Sequence, residues 1–304
     1  MAIDRTEPSA AELASYLTGR RSWRRWGEDD QRGAINLITP EKRAAAAGLV
    51  RSGRIVSLSR DFPTVPGPGN PNPALHYMRA QERGTGGSSS DFVGIQYHGF
   101  AATHIDALCH MWGADGMWNG RDPAKQIDFD GAHWGSIDNW REGIVTRGVL
   151  LDVPAHRGEP FVTRERPVHA WELEEIAEAQ GVSVEPGDAI VVHSGRDAML
   201  AHDPQAFVGP ARPGLHASCL RFLRDHDVAV LAWDMMDHVA TRNEIVSAVH
   251  GSIYAYGVAL VDNCTLGALA QACADEGRYE FMLTVAPLAI VGGTGSPANP
   301  LALF

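Results

Sequence analysis

The sequence predicts an α/β fold whose sheet is covered by helices, and three observations lead there. Apolar runs rich in β-branched residues recur at 149–153 (VLLDV), 189–193 (AIVVH), 228–233 (VAVLAW) and 257–261 (GVALV), continuous enough for strands buried on both faces. An amphipathic stretch at 171–180 (WELEEIAEAQ) and other helical segments stand between these runs, the alternation expected of a sheet with crossover helices. Polar residues close the runs at His193, Asp234 and Asp262, at the strand ends where open α/β sheets gather ligands; each also suits a plain turn or cap.

Taken in order, residues 10–17 form a helix capped by Ser9, with Glu12 completing a capping box. Trp23 and Trp26, set among glycines and acids, mark a loop that either packs the N-terminal arm down or offers an aromatic face to a ligand. Thr39 and Pro40 open a second helix that stops at Gly48 or Gly53. Residues 54–59 alternate as a strand, and 63–73 are a Pro/Gly-rich surface loop. The GTGGSSS stretch at 84–90 reads as the most flexible in the chain, a lid hinge or a loop tip. A strand at 92–97 leads into a histidine-rich segment, and a Gly-rich loop at 112–130 leaves it. Further helices are expected at 213–225, 245–256 and 266–273, then a last strand at 281–290 and a Gly/Pro-rich closing stretch.

With 304 residues and a 44% hydrophobic composition the chain can bury one sizeable core. We expect one domain over 51–304, preceded by an arm with short helices over 1–50. The formal net charge of −11 argues against nucleic acid, whose phosphates need a basic surface. Cys109, Cys219, Cys264 and Cys273 show no C-x-x-C spacing and read as buried reduced thiols. With no signal-peptide pattern and no apolar run long enough to span a bilayer, a cytoplasmic protein that does not engage a membrane is expected.

Chemistry concentrates in residues 97–112, YHGFAATHIDALCHMW, which place His98, His104, Asp106 and His110 among apolar neighbours. His104 and Asp106 are two residues apart, so on an extended segment both side chains face one way and can grip a single divalent cation. On a helix they would diverge. The alternative is a buried loop in which a backbone carbonyl satisfies each imidazole.

These landmarks resemble the cyclase family of metal-dependent hydrolases, which includes bacterial kynurenine formamidase and isatin hydrolase. Thr103 to His110 match the T-H-x-D-x-x-x-H half of the family pattern H-x-G-T-H-x-D-x-P-x-H. Phe100 stands where the pattern has its first His, His98 lies two residues further back, and Leu108 replaces the Pro. His250 and Asp262, twelve apart, resemble a later His and Glu, with Asp in place of Glu. The stretches WGEDDQRGAINLITPE and APLAIVGGTGSPANPLAL resemble those of longer members, so the likeness runs from about Trp26 to Leu303.

The resemblance implies a swivelling β/β/α-type fold with a mixed sheet covered by helices. It also implies one or two Zn²⁺ or Mn²⁺ ions on His98, His104, Asp106, His250 and Asp262, with His110 as general acid/base. Trp26 would wall a small-molecule substrate; apart from the resemblance, Trp112 and Trp118 are further candidates for that wall, and His193, Arg196 and Thr294 are candidates for polar substrate contacts from loop positions. The implied reaction is hydrolysis of a C–N bond in a formamide or cyclic amide. A lactone is the alternative substrate, and a non-catalytic metal- or ligand-binding protein the alternative role. The resemblance further implies a homodimer or homotetramer.

Overall fold

Capping chemistry starts the chain's first two helices. Helix α1 (Ala10–Gly19) begins where Ser9 Oγ accepts from Glu12 N, and α2 (Pro40–Ala47) where Thr39 Oγ1 accepts from Lys42 N. The Glu12 carboxylate does not close a capping box; it accepts from the Tyr16 hydroxyl, 2.8 Å away. The computed structural model describes residues 3–206, 209, 211–239 and 248–304. After α2 come strand β1 (Ile55–Ser57), a hairpin of β2 (Leu75–Arg83) and β3 (Gly86–Gly94), and the short strand β4 (His104–Asp106). Helix α3 (Pro123–Gln126) and the small hairpin β5 (Ile127–Asp128) and β6 (Gly131–Ala132) then precede the long strand β7 (Ile144–Asp152). From there strands and helices alternate: α4 (Val153–Arg157), α5 (Ala170–Ala179), β8 (Ala189–His193), α6 (Arg196–His202), α7 (Cys219–Asp225), β9 (Val230–Trp233), α8 (Ser252–Tyr256), β10 (Ala259–Asp262) and α9 (Gly267–Glu276). Strands β11 (Glu280–Val285), β12 (Gly295–Pro297) and β13 (Leu301–Leu303) complete the set.

Nine strands form one mixed sheet in the order β1-β13-β11-β7-β8-β9-β10-β4-β12. β7, β8, β9 and β10 run parallel at its centre, and antiparallel strands flank them on both sides. The central runs are buried on both faces, as their continuous apolar sequence requires. β11 instead alternates buried and half-buried residues where it pairs with the first half of β7. α2 packs on β7 and β11, and α9 on β1 and β7.

The sheet is curled. β12 forms one edge and β13 lies second from the other, so a flat sheet at strand spacings of ~4.8 Å would hold them roughly 34 Å apart. Only residues 298–300 join them, a reach of roughly 14 Å at most.

The N-terminal arm shares the main core, contributing Tyr16, Leu17, Ala34, Ile35 and Ile38. Tryptophan N–H groups pin it: Trp23 donates to Tyr254 O, Trp118 to Asp30 O and Trp140 to Arg32 O. The arm also closes on the start of β10 through two glycines, since a Cβ on Gly33 would lie 2.5 Å from Gly257 O. Among the described residues no helix is long and apolar enough to cross a membrane.

Several expectations are corrected. The GTGGSSS stretch is not a loose loop but most of β3, paired residue for residue with β2 around a two-residue turn at Gly84 and Thr85. The helix expected from residue 213 starts only at Cys219, because residues 212–215 are bonded instead to residues 236–239. Gly214, at φ +152, permits that approach: a Cβ there would lie 1.9 Å from Met236 O. The last long strand ends at Val285, and the Gly/Pro-rich closing stretch supplies β12 and β13. Of the helix expected at 245–256, residues 245–247 lie outside the described residues, and the rest is a 3-10 turn leading into α8.

Candidate metal centre

β4 is the floor of the site. It is held between β10 and β12, with His104 opposite Asp262 and Pro297, and Asp106 opposite Leu260 and Gly295. The two-residue spacing puts His104 and Asp106 on one face, while Ile105 is fully buried on the other. His98 arrives on the irregular segment between β3 and β4. That segment is tied down by Tyr97 Oη donating to Gly295 O, by Asn263 Nδ2 donating to Gly99 O and Ala102 O, and by Arg196 donating to Phe100 O.

Asp106 is the centre of the cluster. Its Oδ1 lies 3.0 Å from His98 Nδ1 and 3.4 Å from His104 Nε2; its Oδ2 lies 3.8 Å from His110 Nε2 and 3.9 Å from His250 Nε2. Asp262 Oδ2 sits 3.1 Å from His250 Nε2 and 3.9 Å from His104 Nε2. The donor atoms fall into two groups that share Asp106: His98, Asp106 and His110, and His104, Asp106 and Asp262. The His98 ring stacks parallel on that of His110, with centroids 4.0 Å apart.

Other groups orient these donors. Ala102 O lies 2.9 Å from His104 Nδ1, so Nδ1 carries the proton and Nε2 turns its lone pair to the cavity. Asp237 faces His250 Nδ1, and Trp233 Nε1 donates to Asp262 Oδ1. Thr294 Oγ1 lies 2.9 Å from His98 Nε2, so this side chain holds a candidate ligand.

Burial works against the Asp106 carboxylate, yet His104, His98 and His110 outweigh it and hold the group well below the usual carboxylate range. Burial depresses His110 to about 4 despite Asp106 beside it, so this imidazole is neutral at neutral pH. For His250, Asp237 and Asp262 overcome the burial penalty and raise the ring well above the ordinary histidine value.

The donor set passes a physical test for a cation. Both oxygens of fully buried Asp106, and Nδ1 of His98, make no hydrogen bond among the described residues, although imidazole nitrogens approach within salt-bridge distance. Buried polar atoms are nearly always satisfied, and several that are unsatisfied around one point are what a missing cation leaves. A mixed imidazole and carboxylate set suits Zn²⁺ or Mn²⁺ without any cysteine.

A cavity of about 140 Å³ opens onto the cluster, lined by His98, Phe100, His104, His110, His250 and Asp262, together with Gly99, Arg212, Met236 and Asp237. Trp26 is not among these residues. It packs on Trp118, at 6.1 Å between centroids, under the Arg25 guanidinium, because the arm is folded onto the opposite end of β10. His193 bonds Asp152, and Arg196 is spent on the backbone of the His98 segment and on Asn263. Asp234 acts as a cap, accepting from the backbone N–H groups of Ser194, Gly195, Arg196 and Met235. Asp237, Asn263 and Arg212 carried no sequence signal, since none stands in a spaced pattern with the other site residues.

Residues 42–238, about two thirds of the chain, match the model of the cyclase family. Among curated proteins, none matches the sequence. Of solved structures, a novel cyclase is 28% identical with a TM-score of 0.84, over 94% of this chain and 100% of that one. Isatin hydrolase A from Labrenzia aggregata bound to benzyl benzoate is 18% identical with a TM-score of 0.58, covering 84% of this chain and 94% of its own. An isatin hydrolase bound to the product analogue thioisatinate is 17% identical with a TM-score of 0.54, covering 85% and 94%. The two isatin hydrolases share the fold. The family model's span, reaching from α2 through β4 past Asp237, takes in His98, His104, Asp106 and His110 while His250 and Asp262 lie beyond it, and the chain belongs to the cyclase family.

Proposed function

We propose that the protein is a metal-dependent hydrolase that cleaves a C–N bond of a formamide or cyclic amide, with a lactone as the second substrate class. The observation that carries the reading is the buried, unbonded Asp106 carboxylate at the meeting point of four imidazoles, in a cavity open to a small molecule. The fold shared with isatin hydrolases supports hydrolysis.

In this reading His98, His104, Asp106, His250 and Asp262 hold one or two Zn²⁺ or Mn²⁺ ions. Such an ion supplies Lewis acidity, which activates water and polarises a carbonyl. His110 moves the proton. Neutral at neutral pH and facing the donor cluster through Nε2, it takes a proton from the attacking water and returns it to the leaving nitrogen or oxygen. Its parallel stack on His98 holds the ring in place. Phe100 and Met236 give the substrate an apolar wall.

Metal per chain, measured on the wild type and on a His104→Ala, Asp106→Ala double variant, tests the site. One or two equivalents of Zn or Mn in the wild type, lost in a folded variant, are expected. His110→Ala should keep its metal and lose on the order of 10²- to 10⁴-fold in turnover on a panel of aryl formamides, cyclic amides and lactones. A variant that loses its metal instead would make His110 a ligand, and one that keeps full turnover would end its catalytic role.

A further inference from the structure

Arg212 is the one charged residue of the cavity that the hydrolytic reading leaves without a task. Its backbone is fixed, with N donating to Val239 O at 2.8 Å and O accepting from Val239 N at 3.0 Å. Its side chain lies over the Phe100 ring, with Cζ 4.8 Å from the centroid. Among the described residues no carboxylate lies within ion-pair distance of its guanidinium and no acceptor bonds it. Asp237 acts on it only at longer range, and that carboxylate already serves His250 Nδ1 and Val249 N.

Two buried or half-buried arginines of this chain, Arg157 and Arg147, are matched by carboxylates. Arg157 grips Glu172 with two bonds of 2.6 Å, and Arg147 grips Asp188 at 3.0 and 2.6 Å. Arg212 presents the same planar fork to a space a ligand can enter, and a fork of this shape fits a carboxylate through two parallel N–H···O bonds. The nearest carboxylate, that of Asp237, is already engaged by His250 Nδ1 and Val249 N, so the guanidinium has no bonded anion among the described residues.

Size restricts where the matching anion sits. At about 140 Å³ the cavity is small, and Arg212 lines it together with the donor cluster, so an anion on Arg212 lies close to the scissile group. We propose that Arg212 is a carboxylate-recognition residue, and that the substrate is an anionic amide or lactone whose carboxylate lies a few bonds from the scissile carbonyl. The substrate half rests on the hydrolytic reading; carboxylate binding at Arg212 does not.

The test therefore has two arms. In the first, chelator-treated protein is titrated calorimetrically with acetate, glycolate and benzoate and with the matching carboxamides, so that no metal can capture the anion. Carboxylates should bind at least tenfold tighter than their carboxamides, Arg212→Gln should abolish that preference, and Arg212→Lys should keep part of it. Equal binding of the two series, no binding of either, or a preference that survives in Arg212→Gln would overturn the assignment. In the second arm, metal-loaded enzyme is assayed on amides and lactones that carry a carboxylate and on the same compounds neutralised as methylamides. Arg212→Gln should raise KM about tenfold or more for the anionic members relative to their neutral counterparts, without a matching fall in kcat. A loss shared equally by both sets would refute the substrate class. If no compound is hydrolysed, the hydrolytic reading falls, while the first arm still decides Arg212.

Discussion

At the residue scale, the candidate site was legible where its residues lie close in sequence and illegible where the fold brings them together. His104-x-Asp106 could be placed on one face from the strand period alone, and β4 is such a strand. Asp237 could not be found that way: it is thirteen residues from the His250 it orients, a separation that no strand or helix period pairs. Trp26 and Thr294 show the opposite failure, since a residue type gives no direction; one is turned into the arm's packing and the other onto His98. Asp237 supports a direct prediction. Asp237→Asn keeps the shape but removes the charge facing His250 Nδ1, and such supporting groups are worth roughly 10- to 100-fold in metal affinity. Competition against a chelating dye should show a loss of that size with an unchanged circular dichroism spectrum; unchanged affinity would mean that Asp237 only holds the backbone of Val249.

At the element scale, strands with buried faces on both sides announced themselves and strands with polar faces did not. β8, β9 and β10 fall where the apolar runs lie, but the first half of β7, IVTRG, alternates and was passed over. β3 is built largely from Gly and Ser, and its identity comes from its pairing with β2 rather than from its own residues. Helices α5 and α7 carry a titratable link, His226 Nε2 to Glu174 Oε1 at 2.8 Å. That bond, with the nearby Asp225 and against the cost of burial, raises the histidine above its ordinary value. A histidine raised by folding stabilises fully below its unfolded pKa of ~6.5, and the benefit fades as pH climbs through the higher folded value. Urea titrations of wild type and His226→Gln should differ at pH 5.5, by less than ~1 kcal/mol given the exposure of Glu174, and converge at pH 8.5. A difference that grows with pH would mean the pair does not act as an ion pair.

At the scale of the whole molecule, the α/β class followed from the alternation of runs, but the curl did not, because it depends on two three-residue strands in a Gly/Pro-rich stretch. Those strands connect distant parts of the sheet: Gly295 and Pro297 lie beside Asp106 and His104, and a few residues later Leu301 and Leu303 lie between β1 and β11. A protein ended after Gly293 is expected to bind no metal and to melt without a cooperative transition, and a peptide of residues 294–304 added in trans should restore some of both. Metal retention in the shortened protein would show that β10 alone can seat β4. The same connection has a meaning for synthesis. His104 leaves the ribosome almost two hundred residues before β12, one of the two strands that flank it, so the proposed ion would find no complete seat early and its loading would be a late event that reports a finished fold.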